Sequence, residues 1–257
     1  MKVLMCLLLS VLVFYAGYME PRWIEVTGTQ IGQPNGNAPL VIAQISDLHL
    51  QEFGTIEQEV IQHVSEIQPD LLVLSGDVLD KRISLEQLDK FLAGLVATQK
   101  VAVLGNWEYW GEVDLVQLRK IYKAHKVDLL VNETAHYTLK GRDLVVYGID
   151  DYTAGSPRVS TPKSLPAEAS ILVQHSPGFF QENLSEFDRI SLCLSGHTHG
   201  GQITSFGWPM WTPHGSGKFA GGLYQTTTCP LYISRGIGTS ILNFRFGARP
   251  EISVFKI

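Results

Sequence analysis

"LVIAQISDLHL", residues 40–50, decides how the fold is read. Leu40–Ile45 is a short uncharged run rich in branched side chains, and a strand of that composition is buried on both faces. It ends in two polar residues of chemical interest, Asp47 and His49. The pattern recurs twice. "LLVLSGD", residues 71–77, ends in Asp77, and "KVAVLGN", residues 100–106, ends in Asn106. Helical periodicity fills the intervals. Ile56, Val60, Val64 and Ile67 share one face of a helix predicted over 56–67, with Thr55 and Gln58 as a capping box and Pro69 beyond its end. Leu85, Leu88, Phe91, Leu92 and Leu95 form the apolar face of a second helix, capped by Ser84 with Gln87, and a third is predicted over 113–124. Such strand–helix alternation with short loops predicts a parallel-type α/β sheet with helices packed outside it.

The rhythm changes after residue 130. "AHYTLKGRDLVVYGIDD", 135–151, reads as two strands about a Lys140–Gly141 turn. "SILVQH" (170–175), "ISLCLSGH" (190–197), "PLYISRGIG" (230–238) and "EISVFKI" (251–257) read as further strands. A strand-rich second half implies a second sheet packed on the first. No linker divides 40–257, and the stretch 20–39, containing "GTQIGQPNGNAP", reads as a linker that opens with a short strand.

The chain has 257 residues and a formal net charge of −5, without a basic stripe, which argues against nucleic acid as a partner. Val3–Met19 carries no charge over 17 residues, between the length of a signal-peptide core and that of a spanning helix of about 17–25 residues. Tyr15 and Tyr18 stand where small cleavage-site residues would be, and with Trp23 they resemble an interfacial aromatic anchor. Residues 1–19 are therefore expected to be an uncleaved membrane anchor rather than a removed signal. An amino terminus on the inside puts the body of the protein outside the cytoplasm. The three cysteines, Cys6, Cys193 and Cys229, are expected to be free thiols.

Every buried strand points its carboxyl end at a residue able to bind a metal. Asp47, His49, Asp77 and Asn106 are followed later by His175 in "QHSP" and by His197 and His199 in "GHTHGG". In open α/β sheets ligands bind outside the carboxyl ends of the strands. Carboxylate, amide and imidazole gathered there suit borderline divalent cations. Glycine precedes Asp77, Asn106 and His197, as a close backbone approach requires. "DLH" or "GD" alone means little. Five such fragments in one order, each ending an apolar strand, are a coherent signal.

The set "DLH", "GD", "GN", the later His and "GHTH" resembles the calcineurin-like metallophosphoesterase superfamily, over roughly 40–257. "GHTHGGQ", "YISRGIG", "RPEI" and the N-terminal apolar run are similar to its membrane-associated branch of YkuE- and YaeI-like proteins and UDP-2,3-diacylglucosamine diphosphatases. The resemblance implies a four-layer α–β–β–α sandwich and a hydrolase with two metal ions, manganese foremost, with iron, zinc or magnesium as alternatives. Carried over by motif, Asp47, His49 and His199 hold one ion. Asn106, His175 and His197 hold the other, and Asp77 bridges them. The amide of Asn106 is also able to reach the phosphate.

One position departs from the family pattern. Where Gly-Asn-His-Asp or Gly-Asn-His-Glu is usual, this chain has Gly105-Asn106-Trp107-Glu108. An indole N–H donates a hydrogen bond but is no acid, and losing a general acid typically lowers rates about 10²–10⁴-fold. Three readings follow. The leaving group needs no proton, as with a lipid-linked diphosphate such as UDP-2,3-diacylglucosamine in lipid A biosynthesis; or His214 or a water replaces the acid; or the site binds metal and ligand but turns over poorly. A general extracytoplasmic phosphodiesterase or phosphomonoesterase is the alternative enzyme, and a metal-holding binding protein the alternative of another class.

Trp107 either walls the substrate or packs the loop, and packing is the expectation for Trp110. "GWPMWTPHGSG", 207–217, is either an exposed patch for an acyl chain or bilayer, or a lid folded over the metals. Arg235, Arg245 and Arg249 are candidates to meet substrate phosphate or Glu251. His63, His125 and His136 are expected to be surface or satisfied residues.

Overall fold

The computed structural model describes residues 2–32, 38–80, 85–159, 169–187 and 190–257. An apolar helix, α1 (Lys2–Phe14), runs on through a π turn and a 3-10 turn to Arg22, and strand β1 (Glu25–Gln30) follows. The first half then alternates β2 (Val41–Ile45), α2 (Thr55–Ile67), β3 (Leu71–Ser75), α3 (Leu85–Gly94), β4 (Gln99–Val103), α4 (Asn106–Trp110), α5 (Leu115–Ala124) and β5 (Val127–Leu129). The second half contains β6 (Glu133–Leu139), β7 (Arg142–Gly148), β8 (Ala169–Val173), α6 (Gly178–Asn183) and β9 (Leu192–Ser195). A small ribbon, β10 (Thr204–Ser205) with β11 (Trp208–Pro209), precedes β12 (Gly222–Gln225), β13 (Pro230–Ile233) and β14 (Glu251–Lys256).

Two six-stranded sheets result, in the orders β1-β14-β2-β3-β4-β5 and β12-β13-β9-β8-β7-β6. β2, β3, β4 and β5 are parallel, with Ile42 opposite Leu71 and Val73 opposite Val101. β7, β8, β9 and β13 are parallel in the second sheet. Period-two alternation sorts the side chains between layers. Ile42, Leu71, Val73, Val101 and Val103 face Leu144, Val146, Ile171, Val173, Leu192 and Leu194 between the sheets. Ala43, Ile45, Leu72, Leu74 and Ala102 point the other way, onto Val60 and Val64 of α2, Phe91 and Leu92 of α3, and Leu118 and Tyr122 of α5. The far face of the second sheet packs Leu172, Cys193 and Leu231 against Phe179 and Phe180 of α6. This is the four-layer α–β–β–α order, with a thin fourth layer.

Local details refine the sequence reading. The cap of α2 lies one residue earlier than expected: Gly54 N donates to the Glu57 carboxylate at 2.8 Å, so the pair is Gly54–Glu57, not Thr55–Gln58. Asp114 caps α5 by accepting from Val116 N (2.9 Å) and Gln117 N (3.1 Å), which places the start two residues after Val113. Ser84, the expected cap of α3, lies outside the described residues. Lys140 and Gly141 both take positive φ, 51° and 75°, in the turn of the β6–β7 hairpin. Within 20–39, β1 is an edge strand paired in parallel with the C-terminal strand β14, Glu25 opposite Glu251.

The cysteine expectation is overturned. Cys193 and Cys229 form a disulfide, at a sequence separation of 36 and with 6.0 Å between their Cα atoms. Cys193 lies in β9 and Cys229 immediately precedes β13, the neighbouring strand. Only Cys6, exposed on α1, is free. The adjacency arises from sheet order, which spacing along the chain does not display.

Candidate metal centre

The loops that leave β2, β3 and β4 meet those leaving β8 and β9 across the top of the two sheets. Their backbone is unusual. Asp47, His49, Asp77, His197 and His199 all have positive φ, between 48° and 69°. That region costs a non-glycine residue roughly 1–2 kcal/mol, so a fold holding five of them at one place has overdetermined it. Glycine makes the crowding possible. A Cβ on Gly196 would overlap Ser46 Oγ and the Asp47 carboxylate, and one on Gly105 would overlap Asp77 Oδ1.

Six ionisable groups converge, all buried, in two triplets: Asp47, His49 and His199, and Asp77, His175 and His197. His49 Nε2 lies 3.1 Å from His199 Nε2, which is 3.4 Å from Asp47 Oδ1. His175 Nε2 lies 3.0 Å from Asp77 Oδ2. The triplets adjoin each other: Asp77 Oδ2 is 4.0 Å from His49 Nε2, and Asp47 Oδ1 is 3.9 Å from His175 Nε2. Among the described residues, Asn106, 1% exposed at the start of α4, has a buried Oδ1 that accepts no hydrogen bond, and His49 Nδ1 is likewise without a partner. Two imidazole nitrogens facing each other at 3.1 Å and an orphaned amide oxygen are costly in a dry site. Divalent cations satisfy all of them, and the donor set of carboxylate, imidazole and amide oxygen suits first-row metals. The residues present therefore fit a dinuclear centre.

Backbone carbonyls set the imidazole tautomers. His175 Nδ1 donates to Ser75 O at 2.8 Å and His197 Nε2 donates to His214 O at 2.7 Å. Each ring's other nitrogen is left as the ligand atom. Below the site, Gln44 Nε2 donates to Ser75 Oγ and to Ser195 O, both at 2.9 Å, pinning one sheet to the other. Without cations the charges distort one another. Burial pushes Asp47 up, but His199, His175 and His49 outweigh it and hold the carboxyl at about 2. Burial lowers His199 and His197, whereas Asp77 and Asp47 outweigh desolvation at His175 and raise it.

Glu108, which sequence reasoning passed over, organises the loops. One of its oxygens accepts from Gly105 N (2.8 Å) and Asp77 N (3.1 Å), the other from Val78 N (2.8 Å) and Leu79 N (3.2 Å). Burial and the neighbouring Asp77 push it up to about 7, against the pull of those N–H groups. Asp151 is a second omission. It accepts from Ser176 Oγ at 2.6 Å and from Thr153 N and Ala154 N at 2.8 Å, fixing the turn that follows His175. The usable signal was an acidic residue three positions after Gly105, the spacing of a helix cap.

The remaining candidates fall into place. Trp107 N donates to Asp77 Oδ1 at 2.8 Å, and its indole stands edge-on to His49 with ring centres 5.4 Å apart. Trp110 is half exposed and lies edge-on to Trp107 at 6.2 Å. His214 reaches the centre through its backbone carbonyl, while its side chain is exposed. Arg235 takes the Glu251 alternative: Nε donates to Glu251 at 2.8 Å and Nη2 to Glu25 at 2.7 Å. Arg245 is fully buried beneath His199 and donates to the carbonyls of Arg235, Gly236, Gly238 and Ala248. Arg249 stacks on Trp23, 4.0 Å from the ring centre. The 207–217 loop divides: Trp208, Met210 and Trp211 are exposed, while the second half turns toward the centre through His214 O and buries Ser216. His63 pairs with Glu59 and Glu66 on α2, and His125 with Asp89.

The family model of calcineurin-like phosphoesterases matches residues 40–201, the span that contains Asp47, His49, Asp77, Asn106, His175, His197 and His199. The chain belongs to the calcineurin-like phosphoesterase family. The metallophosphoesterase YkuE of Bacillus subtilis is 33% identical over 261 residues, covering 95% of this chain and 88% of its own. YkoQ of the same organism is 29% identical over 272 residues, 97% of each chain. The phosphodiesterase YaeI of Escherichia coli is 26% identical over 254 residues, 95% of this chain and 92% of its own. Membership makes this chain a metal-dependent phosphoesterase, and the two triplets fit the dinuclear site of such an enzyme. Bound cations in such a site neutralise phosphoryl charge and lower the pKa of water, so that attack at phosphorus proceeds at neutral pH.

Proposed function

We propose that this phosphoesterase is membrane-anchored and hydrolyses a lipid-linked diphosphate outside the cytoplasm. In this reading Asp47, His49 and His199 hold one cation, Asn106, His175 and His197 the other, and Asp77 lies between them. The observation that carries the substrate class is Trp107 edge-on to His49, at the position where the usual family pattern has a histidine. Its backbone N–H orients Asp77, but its side chain has no proton to give an alkoxide. A phosphate leaving group, with a second pKa of about 6, departs without one. The uncharged 17-residue run of Val3–Met19 supports the anchor. The Cys193–Cys229 disulfide supports an oxidising compartment, since such bonds are rare in the cytosol. Those two points favour an envelope diphosphate over UDP-2,3-diacylglucosamine, whose synthesis is cytoplasmic.

The test compares substrates on the full-length protein loaded with Mn²⁺. Bis-p-nitrophenyl phosphate and a long-chain lipid diphosphate should both turn over, and a simple alkyl phosphate should lag by about 10²-fold or more. Equal rates on the alkyl phosphate would refute the leaving-group argument. Bound metal with no turnover of any substrate would identify a binding protein. The name of the phosphodiesterase YaeI supports the second reading, a general phosphodiesterase, which preferential hydrolysis of the soluble diester would establish.

A further inference from the structure

Beside His199 lies an apolar cavity of about 280 Å³, lined by Thr198, Ile203, Met210, Trp211 and Leu242 among others. Exposed apolar side chains stand on the loops that line it and on the adjoining β10–β11 turn. Phe206 is fully exposed, Trp208 77% and Ile241 81% exposed, and Met210 and Trp211 project beside them. Neighbouring apolar side chains on loop tips expose a patch that a purely soluble surface does not sustain.

The position of α1 identifies what covers this patch. The lower end of the apolar run docks on the segment joining the two rims: Arg245 N donates to Ala16 O at 2.8 Å, and Tyr15 lies edge-on to Phe246 at 6.2 Å. Gly17 lets the Phe244 ring approach closely. Tyr15 and Tyr18, with Arg22 over the Tyr18 ring at 4.2 Å, and Trp23 form the amphipathic belt that settles at a lipid headgroup layer. Phe246 O accepts from Thr204 N at 2.8 Å, and Phe244 N donates to Leu242 O at 2.9 Å. The belt thus sits within a few residues of both exposed tips.

We propose that the 206–211 and 241–242 loops lie in the lipid interface beside the anchor, and that the cavity next to His199 takes an acyl chain from the bilayer. This deepens the proposed function and rests on its membrane-anchored reading. A substrate would enter chain first, with its phosphates brought to the metal ligands from the membrane side. The cavity beside His199 and a separate polar cleft, lined by His49, Gln51, Glu52 and Asn243 together with Gly17 and Arg22 of the N-terminal segment, give one place for a hydrocarbon chain and one for a polar group.

Full-length protein reconstituted into phosphatidylcholine vesicles with brominated acyl chains tests this without reference to hydrolysis. Among the five tryptophans, Trp208 and Trp211 should be quenched, so the double variant Trp208→Phe/Trp211→Phe should lose a third or more (roughly) of the quenchable emission. An unchanged quenched fraction would overturn the proposal, leaving Trp23 alone at the interface. Leu242→Trp, which fills the cavity, should lower the ratio of lipid-diphosphate to bis-p-nitrophenyl phosphate turnover about tenfold, as expected for a few methylenes denied burial. A wild-type ratio would overturn the acyl assignment. If the unaltered enzyme hydrolyses no lipid diphosphate, the proposed substrate fails, while the quenching still decides where the loops lie.

Discussion

Reducing the Cys193–Cys229 disulfide is expected to loosen the metal centre as well as the second sheet. The bond closes a loop of 36 residues that carries His197, His199 and the exposed 206–211 tip. In the chain-entropy account a loop of that size restricts the unfolded chain by about 13 cal/mol/K, or about 4 kcal/mol at 25 °C. For a chain of this length that corresponds to a fall in Tm of roughly 8–15 °C. The assay is a thermal melt of full-length protein in detergent, with and without dithiothreitol, beside Cys193→Ala/Cys229→Ala. Thiol titration under denaturing conditions accompanies it. Oxidised protein should show one thiol, Cys6, and reduced protein three. The reduced form should also release metal more readily, since two ligands sit inside the closed loop. Three thiols in protein purified under oxidising conditions, or a Tm that ignores the reductant, would refute the pairing and remove the compartment argument built on it.

Other expectations follow from the same geometry. Glu108→Gln turns an amide NH₂ toward two of the four backbone donors, at about 1–3 kcal/mol each, so the metal-loaded variant should melt at least about 5 °C lower; an unchanged Tm would show that the carboxylate is not the organiser. In metal-free protein Glu108 sits at about 7 against an ordinary 4.5, so the folded state holds its proton more tightly than the unfolded chain. Its contribution is therefore greatest below pH 4.5 and falls by about 3 kcal/mol as pH rises to 7, visible in urea titrations and absent from Glu108→Gln. Trp107→His should raise alkyl-phosphate turnover at least about tenfold by restoring an acid, and no gain would count against the missing-acid account.

How much of this was legible in the sequence differs from element to element. The strands were visible because both faces of β2, β3 and β4 are buried, which leaves uninterrupted apolar runs. The functional residues were visible because they cluster just after such runs, with glycine marking the tight turn before Asp77, Asn106 and His197. Side-chain chemistry reports itself in sequence, whereas backbone chemistry does not. The carbonyls of Ser75 and His214 that orient His175 and His197 have no residue-type signature. The Cys193–Cys229 bond depends on β13 lying next to β9, an adjacency between segments some forty residues apart that only sheet order supplies. Arg235 was ambiguous for a similar reason. Its partners Glu25 and Glu251 come from the two ends of the chain and meet only because β1 pairs with β14.

That pairing has a mechanical consequence. Only Trp23 and Ile24 separate the end of the N-terminal helical stretch, at Arg22, from a strand hydrogen-bonded into the main sheet, and Glu20, itself buried, accepts from Ala248 N at 2.8 Å. There is no swinging tether. Were α1 embedded as proposed, the catalytic face would be held at one height and one tilt, so it would sample molecules that diffuse laterally in the same leaflet and would not reach across to an apposed surface. Turnover would then scale with the surface density of substrate rather than with its bulk concentration.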